Sequence, residues 1–318
     1  VARARAALNV ELPVRALFET PTVAGLAAHL ASAAGAARPA LRPVERPVPL
    51  PVSHAQERLW FLNRLEGLTA TYNMPIPLRL TGAIDPGAMR DALRDVAARH
   101  ESLRTLFADA DGEPHQVILA PDEADPRLTV TAPADLHGTL FADATRGFDL
   151  ANELPVRAHL YRLGEDEHLL LIVLHHIAGD GWSMAPLARD VITAYLARRA
   201  GAAPEWAPLG VQYADYALWQ RELLGDENDP GSLAARQIAY WKDALAGLPD
   251  QIRLPHDRPR PDRASHRGGQ VAFEVPAELA DGLRTLARDH QVSMFMVLQA
   301  ALAALLTRLG AGTDVPIG

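Results

Sequence analysis

The sequence predicts a mixed α/β (α+β) protein, and three observations support that prediction. Strand-like and helix-like stretches alternate from about residue 51 to residue 224. Residues 168–174 (HLLLIVL) form an apolar run short enough for a buried strand. Asp85 and Pro86 predict a helix start, because aspartate caps a helix and proline suits the first helical position.

The composition is that of an ordinary globular protein without membrane or nucleic-acid partners. Of 318 residues, 48% are hydrophobic and 22% charged, which predicts a sizeable core in one large or two medium domains. The net charge of −8 argues against nucleic acid and anionic membranes. The absence of cysteine excludes disulfides and thiol nucleophiles. With no signal-peptide pattern at the N-terminus, we expect a soluble, cytoplasmic protein.

Residues 1–33 are expected to contain two short helices joined by a turn, and residues 34–49 to be a linker. Residues 1–8 favour a helix that has no cap, which suggests that the segment was cut from a longer chain. Pro13 ends it, a short turn carries Leu17 and Phe18, and residues 22–30 form another helix. The linker is rich in alanine, arginine and proline, and its prolines favour an extended chain.

Two further segments, 50–225 and 226–318, follow the linker. In the first, apolar residues at helical spacing predict two helix faces: Met89, Leu93, Val96, Ala97; and Leu187, Val191, Ala194, Tyr195. A polar break at 225–231 separates the segments. In the second segment we expect a helix with Tyr240 and Trp241, a strand at 270–275, a helix from Ala277, a buried helix at 293–309 and a strand near Val315. The apolar stretch within the buried helix, 294–306, is too short to span a bilayer.

The stretch 175–181 (HHIAGDG), followed by Trp182 and Ser183, is the most informative for chemistry. Side chains alternate along a strand, so His175 and His176 should face opposite ways, and only one can enter a given cavity. Asp180 is placed to fix the turn or pair with a cation. Gly181 permits close approach of a substrate, and Ser183 is suited to cap a helix or offer a hydroxyl.

Two other interpretations of this stretch are open. One is a buried strand end followed by a polar turn, with no chemical role. The other is a metal site, since two histidines and an aspartate are ligand types for zinc or iron. Adjacent histidines on a strand converge poorly on one ion, and the sequence has no second ligand cluster, which disfavours the metal site.

HHIAGDG resembles the HHxxxDG signature of the condensation domains of nonribosomal peptide synthetases. Residues 53–62 (SHAQERLWFL), 99–107 (RHESLRTLF) and 213–219 (YADYALW) resemble the first, second and fourth motifs of that family, in the family's order. Most of these residues also have a structural interpretation. Ser53 would cap a helix, Trp60 would be core, and Arg104 would brace the motif through charge-assisted hydrogen bonds.

The first thirty residues resemble the end of a peptidyl carrier domain. Residues 14–26 (VRALFETPTVAGL) are similar to its third and fourth helices. The serine that takes the 4'-phosphopantetheine arm would lie before residue 1, so this remnant could not be loaded. The position of these residues directly before the condensation-like motifs favours the carrier interpretation.

The resemblance implies a fold of two chloramphenicol-acetyltransferase-like lobes with a tunnel between them. The N-terminal lobe would be 50–225 and the C-terminal lobe, incomplete, 226–318. The implied reaction joins a carrier-bound aminoacyl or peptidyl thioester to a carrier-bound acceptor amine, as in antibiotic biosynthesis and other secondary metabolism. His176 would be the catalytic residue, with His175, Asp180, Gly181 and Arg104 structural. Trp182 and Ser183 would line the substrate tunnel.

The implied partners are an upstream donor and a downstream acceptor carrier domain, and an adjacent adenylation domain. No cofactor is expected on the condensation domain itself, because its substrates ride on the phosphopantetheine of the carriers. The first motif resembles the subtype that takes an L-configured donor residue. It differs from that of epimerisation domains, which remain an alternative, while the histidine motif disfavours cyclisation domains.

Two further alternatives are a standalone acyltransferase with a free acceptor and a non-catalytic fragment that only docks carriers. In the family, an arginine from the second lobe braces the motif aspartate, and it would lie beyond Gly318. We therefore expect the 318-residue chain by itself to lack activity.

Overall fold

The computed structural model describes residues 12, 14–20, 22–32, 39–249, 251–259, 261, 268–269 and 271–317. It divides the chain into two compact units, Val1–Ala234 and Ala235–Gly318. The division lies nine residues after the lobe boundary expected at residue 225. The helix expected at 1–8 lies outside the described residues.

The first unit contains helices and strands in alternation. The helices are α1 Val14–Glu19, α2 Val23–Ser32, α3 His54–Glu66, α4 Pro86–Arg99, α5 Leu136–Thr145, α6 Met184–Arg199 and α7 Tyr213–Leu224, with α8 Leu233–Ala244 crossing into the second unit. The strands are β1 Leu50–Pro51, β2 Asn73–Thr81, β3 Thr105–Ala110, β4 Glu113–Ile118, β5 Leu128–Thr131, β6 Val156–Arg162 and β7 Glu167–His175. Two short 3₁₀ turns, Glu101–Arg104 and Gly181–Ser183, follow α4 and β7.

The strands form two sheets. A three-stranded antiparallel sheet has the order β1-β4-β3. A four-stranded mixed sheet has the order β2-β7-β6-β5, in which only β5 and β6 run parallel. Strand β7, which ends at His175, is therefore a central strand, and its backbone is hydrogen-bonded on both sides.

Strand β7 carries apolar side chains on both faces, which explains its unbroken apolar run. Leu170, Ile172 and Leu174 belong to a core cluster with residues of α4 and α6. Leu171 and Val173 belong to a second cluster with Trp60, Phe107 and Phe148. The predicted buried strand is confirmed, and β7 holds the end of the histidine motif between the two clusters.

The predicted starts of α3 and α4 are confirmed. The Ser53 hydroxyl accepts a hydrogen bond from the Gln56 backbone N–H, and the Gln56 side chain accepts one from the Ser53 backbone, which is a capping box. Asp85 accepts from the backbone of Gly87 and Ala88, with Pro86 as the first helical residue.

The N-terminal segment differs in one detail from the expectation. Residues 14–19 form a short helix, α1, where the sequence predicted a turn. In the linker, residues 39–47 have no helix or strand, as expected. This part of the linker is tied to the first unit, because Arg46 forms ion pairs with Glu101 and Asp215.

The second unit confirms the predicted helices and contradicts both predicted strands. Helices α9 Ala277–Asp289 and α10 Met294–Leu306 contact each other. Residues 271–276 and 314–317 are not strands. A strand requires a hydrogen-bonding partner, and the described residues of this unit contain no strand with which either segment could pair.

The apolar helix α10 is mostly exposed, so the prediction of a buried helix was wrong. Only Val297 is buried in it, and Phe295 is 72% exposed. It packs against α9, and most of its large apolar side chains remain exposed. A π turn, Thr307–Ala311, continues α10.

The helical segment Met294–Ala311 has the length and apolar composition of a membrane span, whereas the sequence predicted a shorter helix. One such segment among the described residues is weak evidence for a membrane protein, because core helices of globular proteins share these features.

The Asp85 cap supplies a stability prediction remote from the histidine motif. We expect Asp85→Ala to lower the free energy of unfolding by roughly 1 kcal/mol, because two backbone N–H groups of α4 lose their acceptor. Chemical denaturation monitored by circular dichroism measures the change. Asp122→Ala, in an exposed turn, is the matched control, and an equal effect of the two substitutions would contradict the capping role.

Candidate active site

The two adjacent histidines lie in opposite environments at the end of β7. His175 is the last strand residue and is 1% exposed. His176 begins the following turn and is exposed. Its backbone N–H donates to the Tyr72 carbonyl at 2.8 Å, which extends the contact between the ends of β7 and β2 by one residue. The prediction that the two rings face different ways agrees with this difference in burial.

His175 is held as a neutral ring in the core. Its Nδ1 accepts a hydrogen bond from the Ile177 backbone N–H at 3.1 Å, so the neutral ring carries its proton on Nε2. The edge of one ring meets the face of the other in the pair His175–Phe148, with centroids 5.9 Å apart. Burial, and then the neighbouring charges of His176 and Arg157, lower the pKa of His175 to about 4. His175 therefore shapes the turn through Ile177.

His176 has the opposite tautomer. Its Nδ1 lies 2.9 Å from the Gly179 carbonyl oxygen. A carbonyl can only accept, so Nδ1 is the protonated nitrogen of this hydrogen bond. The neutral ring then has a lone pair on Nε2. An exposed imidazole oriented in this way can accept a proton from a reacting group.

The turn that follows is closed by Asp180 and Ser183. The Asp180 carboxylate accepts from the Ser183 backbone N–H at 3.0 Å and from the Ser183 hydroxyl at 2.8 Å. The Asp180 N–H donates to the same hydroxyl oxygen at 3.0 Å. The hydrogen bond from the Ser183 hydroxyl is the largest cause that lowers the pKa of Asp180. Both residues fix the first turn after the motif, and Ser183 uses its hydroxyl there.

The surface beside this turn is open. A Cβ added to Gly181 would meet no atom within 4 Å. The Trp182 side chain is 90% exposed. A cavity of about 310 Å³ adjoins the turn; it is lined by His100, Ser102, Leu103, Leu174, Ala178, Gly179, Trp182, Ser183, Pro186 and Leu187. Gly179 lies between His176 and the cavity: its carbonyl accepts the hydrogen bond from His176, and the residue also lines the cavity.

The second motif anchors the helix that begins after the histidine turn. Asp190 of α6 is buried and accepts from Arg99 at 2.9 Å, and it lies 2.8 Å from the His100 Nε2. Burial alone would raise the pKa of Asp190, but hydrogen bonds from His100, Arg189 and Arg99 outweigh it and lower the pKa. Arg198 and Asp95 form a second link between α6 and α4.

Asp190 was missed by the sequence reasoning, although a signal was present. It falls on the apolar face defined by Leu187, Val191 and Ala194, where a charged residue requires a partner. The anionic side chain on that face is the partner of Arg99 and His100 of the second motif.

Arg104 lies within its own motif. It donates to the Leu119 carbonyl, and its guanidinium is 3.6 Å from Glu101. No hydrogen bond among the described residues joins Arg104 to His175, His176 or Asp180. Arg104 therefore fixes the 3₁₀ turn after α4 to the end of β4.

The first and fourth motifs contact each other. The Ser53 hydroxyl and the Tyr213 hydroxyl lie 3.0 Å apart. Burial raises the pKa of Tyr213, against the effect of the Ser53 hydrogen bond. The Trp219 indole N–H donates to the Pro39 carbonyl at 2.6 Å, which attaches the linker to α7. Of the site residues predicted from the sequence, the structure brings His175, His176, Asp180, Gly181, Trp182 and Ser183 into one turn and leaves Arg104 outside it.

The described residues contain no group of three or more histidine, aspartate or glutamate side chains arranged to hold a metal ion. The Nδ1 atoms of the two motif histidines are each engaged with the backbone. The described geometry therefore offers no support for the metal interpretation.

The burial of His175 predicts a pH-dependent stability. Its pKa is about 4 in the folded chain and about 6.5 in the unfolded chain, so below pH ~6.5 the unfolded state binds the proton first. Stability is therefore complete above pH ~6.5 and falls by up to about 3 kcal/mol as the pH drops toward 4. We expect the difference in unfolding free energy between wild type and His175→Gln to shrink over that range.

The control for this prediction is His137→Gln, which changes an exposed histidine of α5. Its stability should follow the wild-type pH curve. Chemical denaturation at several pH values measures all three proteins. A His175→Gln curve parallel to the wild type between pH ~6.5 and 4 would show that His175 is not buried as a neutral ring.

Comparison with known proteins identifies the family to which the chain belongs. The model of the condensation domain family matches residues 49–318. Over 316 residues, or 99% of its length, the chain is 55% identical to the nonribosomal peptide synthetase CymA of Salinispora arenicola. It is 54% identical to a dimodular nonribosomal peptide synthase of Bacillus subtilis, over all of its length. The chain spans 4% and 13% of the lengths of these two proteins.

Solved structures give the same result. The X-domain of teicoplanin biosynthesis, in its complex with OxyB, is 43% identical with a TM-score of 0.80, over 86% of this chain and 60% of the X-domain chain. The four-domain nonribosomal peptide synthetase AB3403 is 26% identical with a TM-score of 0.69, over 82% of this chain and 19% of the synthetase. The predicted mixed α/β fold is thus the fold of the condensation domains, and the chain belongs to the condensation domain family of nonribosomal peptide synthetases.

Proposed function

We propose that this domain forms a peptide bond between two carrier-bound substrates. The donor is an aminoacyl or peptidyl thioester, and the acceptor is the amine of a second aminoacyl thioester. The observation that supports this proposal best is the orientation of His176, an exposed ring in the HHxxxDG turn with its Nδ1 donated to Gly179. Its Nε2 lone pair is the group that takes up the proton.

The reaction balances without any further reagent. The acceptor amine attacks the donor carbonyl carbon, the C–N bond forms, and the C–S bond of the donor thioester breaks. The proton lost by the attacking nitrogen passes to His176 Nε2 and is returned to the departing thiolate. Positioning of both substrates away from bulk water supplies much of the acceleration. Asp180 and Ser183 hold the turn and take no proton.

The partners follow from this reaction. The substrates arrive on the 4'-phosphopantetheine arms of an upstream donor and a downstream acceptor carrier domain, and an adenylation domain loads a carrier. The domain itself needs no cofactor, and we place the reaction in the cytoplasm.

A second candidate function is docking without catalysis. The X-domain that this chain resembles was solved in complex with OxyB, so a member of this family can serve as a binding partner. The intact histidine turn favours catalysis instead, because a domain used only for docking has no need of an exposed, oriented imidazole. A standalone acyltransferase with a free acceptor is the other alternative.

The test compares acceptors in a synthetase that carries residues 1–318. Donor aminoacyl carrier is mixed in a single turnover either with acceptor aminoacyl carrier or with the same amino acid free in solution. Intact-protein mass spectrometry follows both carriers. We expect the dipeptide on the acceptor carrier and little reaction with the free amino acid. Equal transfer to the free amino acid would support the acyltransferase, and no transfer to either would support docking.

A further inference from the structure

A side chain on the neighbouring strand holds the ring that packs against His175. Arg157 of β6 is 7% exposed. It donates to the carbonyls of Arg146 at 2.8 Å and Gly147 at 2.5 Å, and to the Glu153 carboxylate at 3.0 Å. Its guanidinium carbon lies 3.6 Å from the centroid of the Phe148 ring, which is a cation–π contact. Arg157 thus binds both the backbone and the aromatic ring of one segment, residues 146–150, which we call the 146–150 loop.

The 146–150 loop is held mainly by side chains. Asn73 donates to the carbonyls of Ala144 at 2.8 Å and Arg146 at 2.9 Å, and Asn63 donates to the Phe148 carbonyl at 3.2 Å. Asn73 lies opposite His175 in the β2–β7 register. A Cβ on Gly147 would lie 2.2 Å from the Leu68 carbonyl oxygen, so the loop is pressed against the backbone before β2.

The loop is linked to the His176 turn by two successive contacts, the first from Phe148 to His175 and the second from His175 to Ile177. Phe148 is fully buried and presents its ring to His175, at 5.9 Å and 77°. His175 in turn accepts the hydrogen bond from the Ile177 N–H, which shapes the turn that carries His176. Displacement of Phe148 would free the His175 ring, and with it the backbone that orients His176.

We propose that Arg157 is a positioning residue for peptide-bond formation, which acts through the 146–150 loop and Phe148 on His175. This inference rests on the proposed function. Arg157 is buried, and the effect that we propose for it is on the geometry of the His176 turn. A small displacement of an oriented catalytic group can cost on the order of 100-fold in rate.

Arg157→Met and the milder Arg157→Lys, each made in a synthetase that carries residues 1–318, test the proposal, with Arg162→Met as the matched control. Arg162 is on the same strand with an exposed side chain. We expect Arg157→Met to lower kcat for dipeptide formation by roughly 10- to 100-fold with little change in KM, because geometry is lost but substrate binding is kept. Arg157→Lys should recover part of the rate, since an ammonium keeps the charge and hydrogen-bond donors. Arg162→Met should match wild type.

A second readout is independent of activity. Side-chain NMR of histidine-labelled protein should show the His175 ring resonances displaced in Arg157→Met and unchanged in Arg162→Met. Because the Arg157 charge also acts on His175 directly, the route through Phe148 is tested by Phe148→Leu, which keeps that charge and should displace the same resonances. A lower kcat with unmoved His175 resonances would overturn the route through Phe148. Moved resonances with an unchanged kcat would overturn the positioning role.

If the wild type itself forms no dipeptide with carrier-bound substrates, the proposed function fails, and so does the role of Arg157 in that reaction. The NMR comparison still decides whether Arg157 holds His175. The two failures are therefore distinguishable. Phe148→Leu and Arg157→Lys retain a buried apolar or cationic side chain, which keeps the test available if Arg157→Met does not fold.

Discussion

Replacement of His176 by alanine is expected to slow dipeptide formation by roughly 10²- to 10⁴-fold. The alanine removes the exposed imidazole whose Nδ1 is held by the Gly179 carbonyl and whose Nε2 is the proposed proton acceptor. The folded structure should survive, because the ring is exposed and its loss creates no cavity in the core. Single-turnover transfer between two loaded carriers measures the rate, and thermal unfolding checks the fold.

The control for this prediction is His137→Ala, on α5 and exposed like His176. It should transfer the donor group at the wild-type rate. A His176→Ala rate within about threefold of the wild type would contradict proton transfer at this ring, because general-base catalysis contributes at least about 10²-fold. Substrate positioning alone would then account for the acceleration.

Replacement of Gly181 by leucine is expected to abolish transfer while leaving the fold intact. The glycine backbone is not in the left-handed region, and an added Cβ meets no atom within 4 Å, so leucine is accommodated without strain. The new side chain projects into the open space beside Asp180 and Trp182, where the substrates are proposed to meet. We expect at least about a 10²-fold loss in rate, since a displaced substrate no longer reaches His176.

Gly210→Leu is the matched control, because it lies in an equally open and exposed position without a left-handed backbone. It should have the wild-type rate and melting temperature. Full transfer activity in Gly181→Leu would show that the substrates do not pass this side of the turn. A lower melting temperature in Gly181→Leu alone would show that the position is not open.

The sequence predicted the parts of the fold that depend on local pattern. The caps of α3 and α4 follow from short-range chemistry at Ser53 and Asp85. Strand β7 follows from its unbroken apolar run, whereas His176 is exposed because it lies beyond the end of the strand, in the turn. Each of these features depends on residues within a few positions of each other.

Features that depend on contacts outside a local sequence pattern were missed. Arg157 meets the 146–150 loop across a strand boundary, and Asp190 meets Arg99 over more than ninety positions. The strand expected at 270–275 has an alternating pattern, but a strand also needs a neighbour, and none is present in the described part of that unit. Burial of α10 failed as a prediction for the same reason, since burial is a property of the surroundings.

The residues of the histidine turn have different roles, and their hydrogen bonds are consistent with those roles. His175 and Asp180 are occupied by backbone and hydroxyl partners, and Ser183 is occupied by Asp180. His176 combines exposure with a fixed Nδ1. The proposed mechanism requires one proton acceptor and a rigid frame, and the turn provides both within nine residues.

The proposed mechanism depends most directly on an unprotonated His176 Nε2. Long-range ¹H–¹⁵N NMR of the histidine side chains, recorded about two pH units above the ordinary histidine pKa of ~6.5, distinguishes the two neutral tautomers. We predict that His176 carries its proton on Nδ1 and His175 on Nε2, with the His176 signals identified by their loss in His176→Ala. A His176 ring protonated on Nε2 would leave no lone pair for the attacking amine, and would contradict the proposed role.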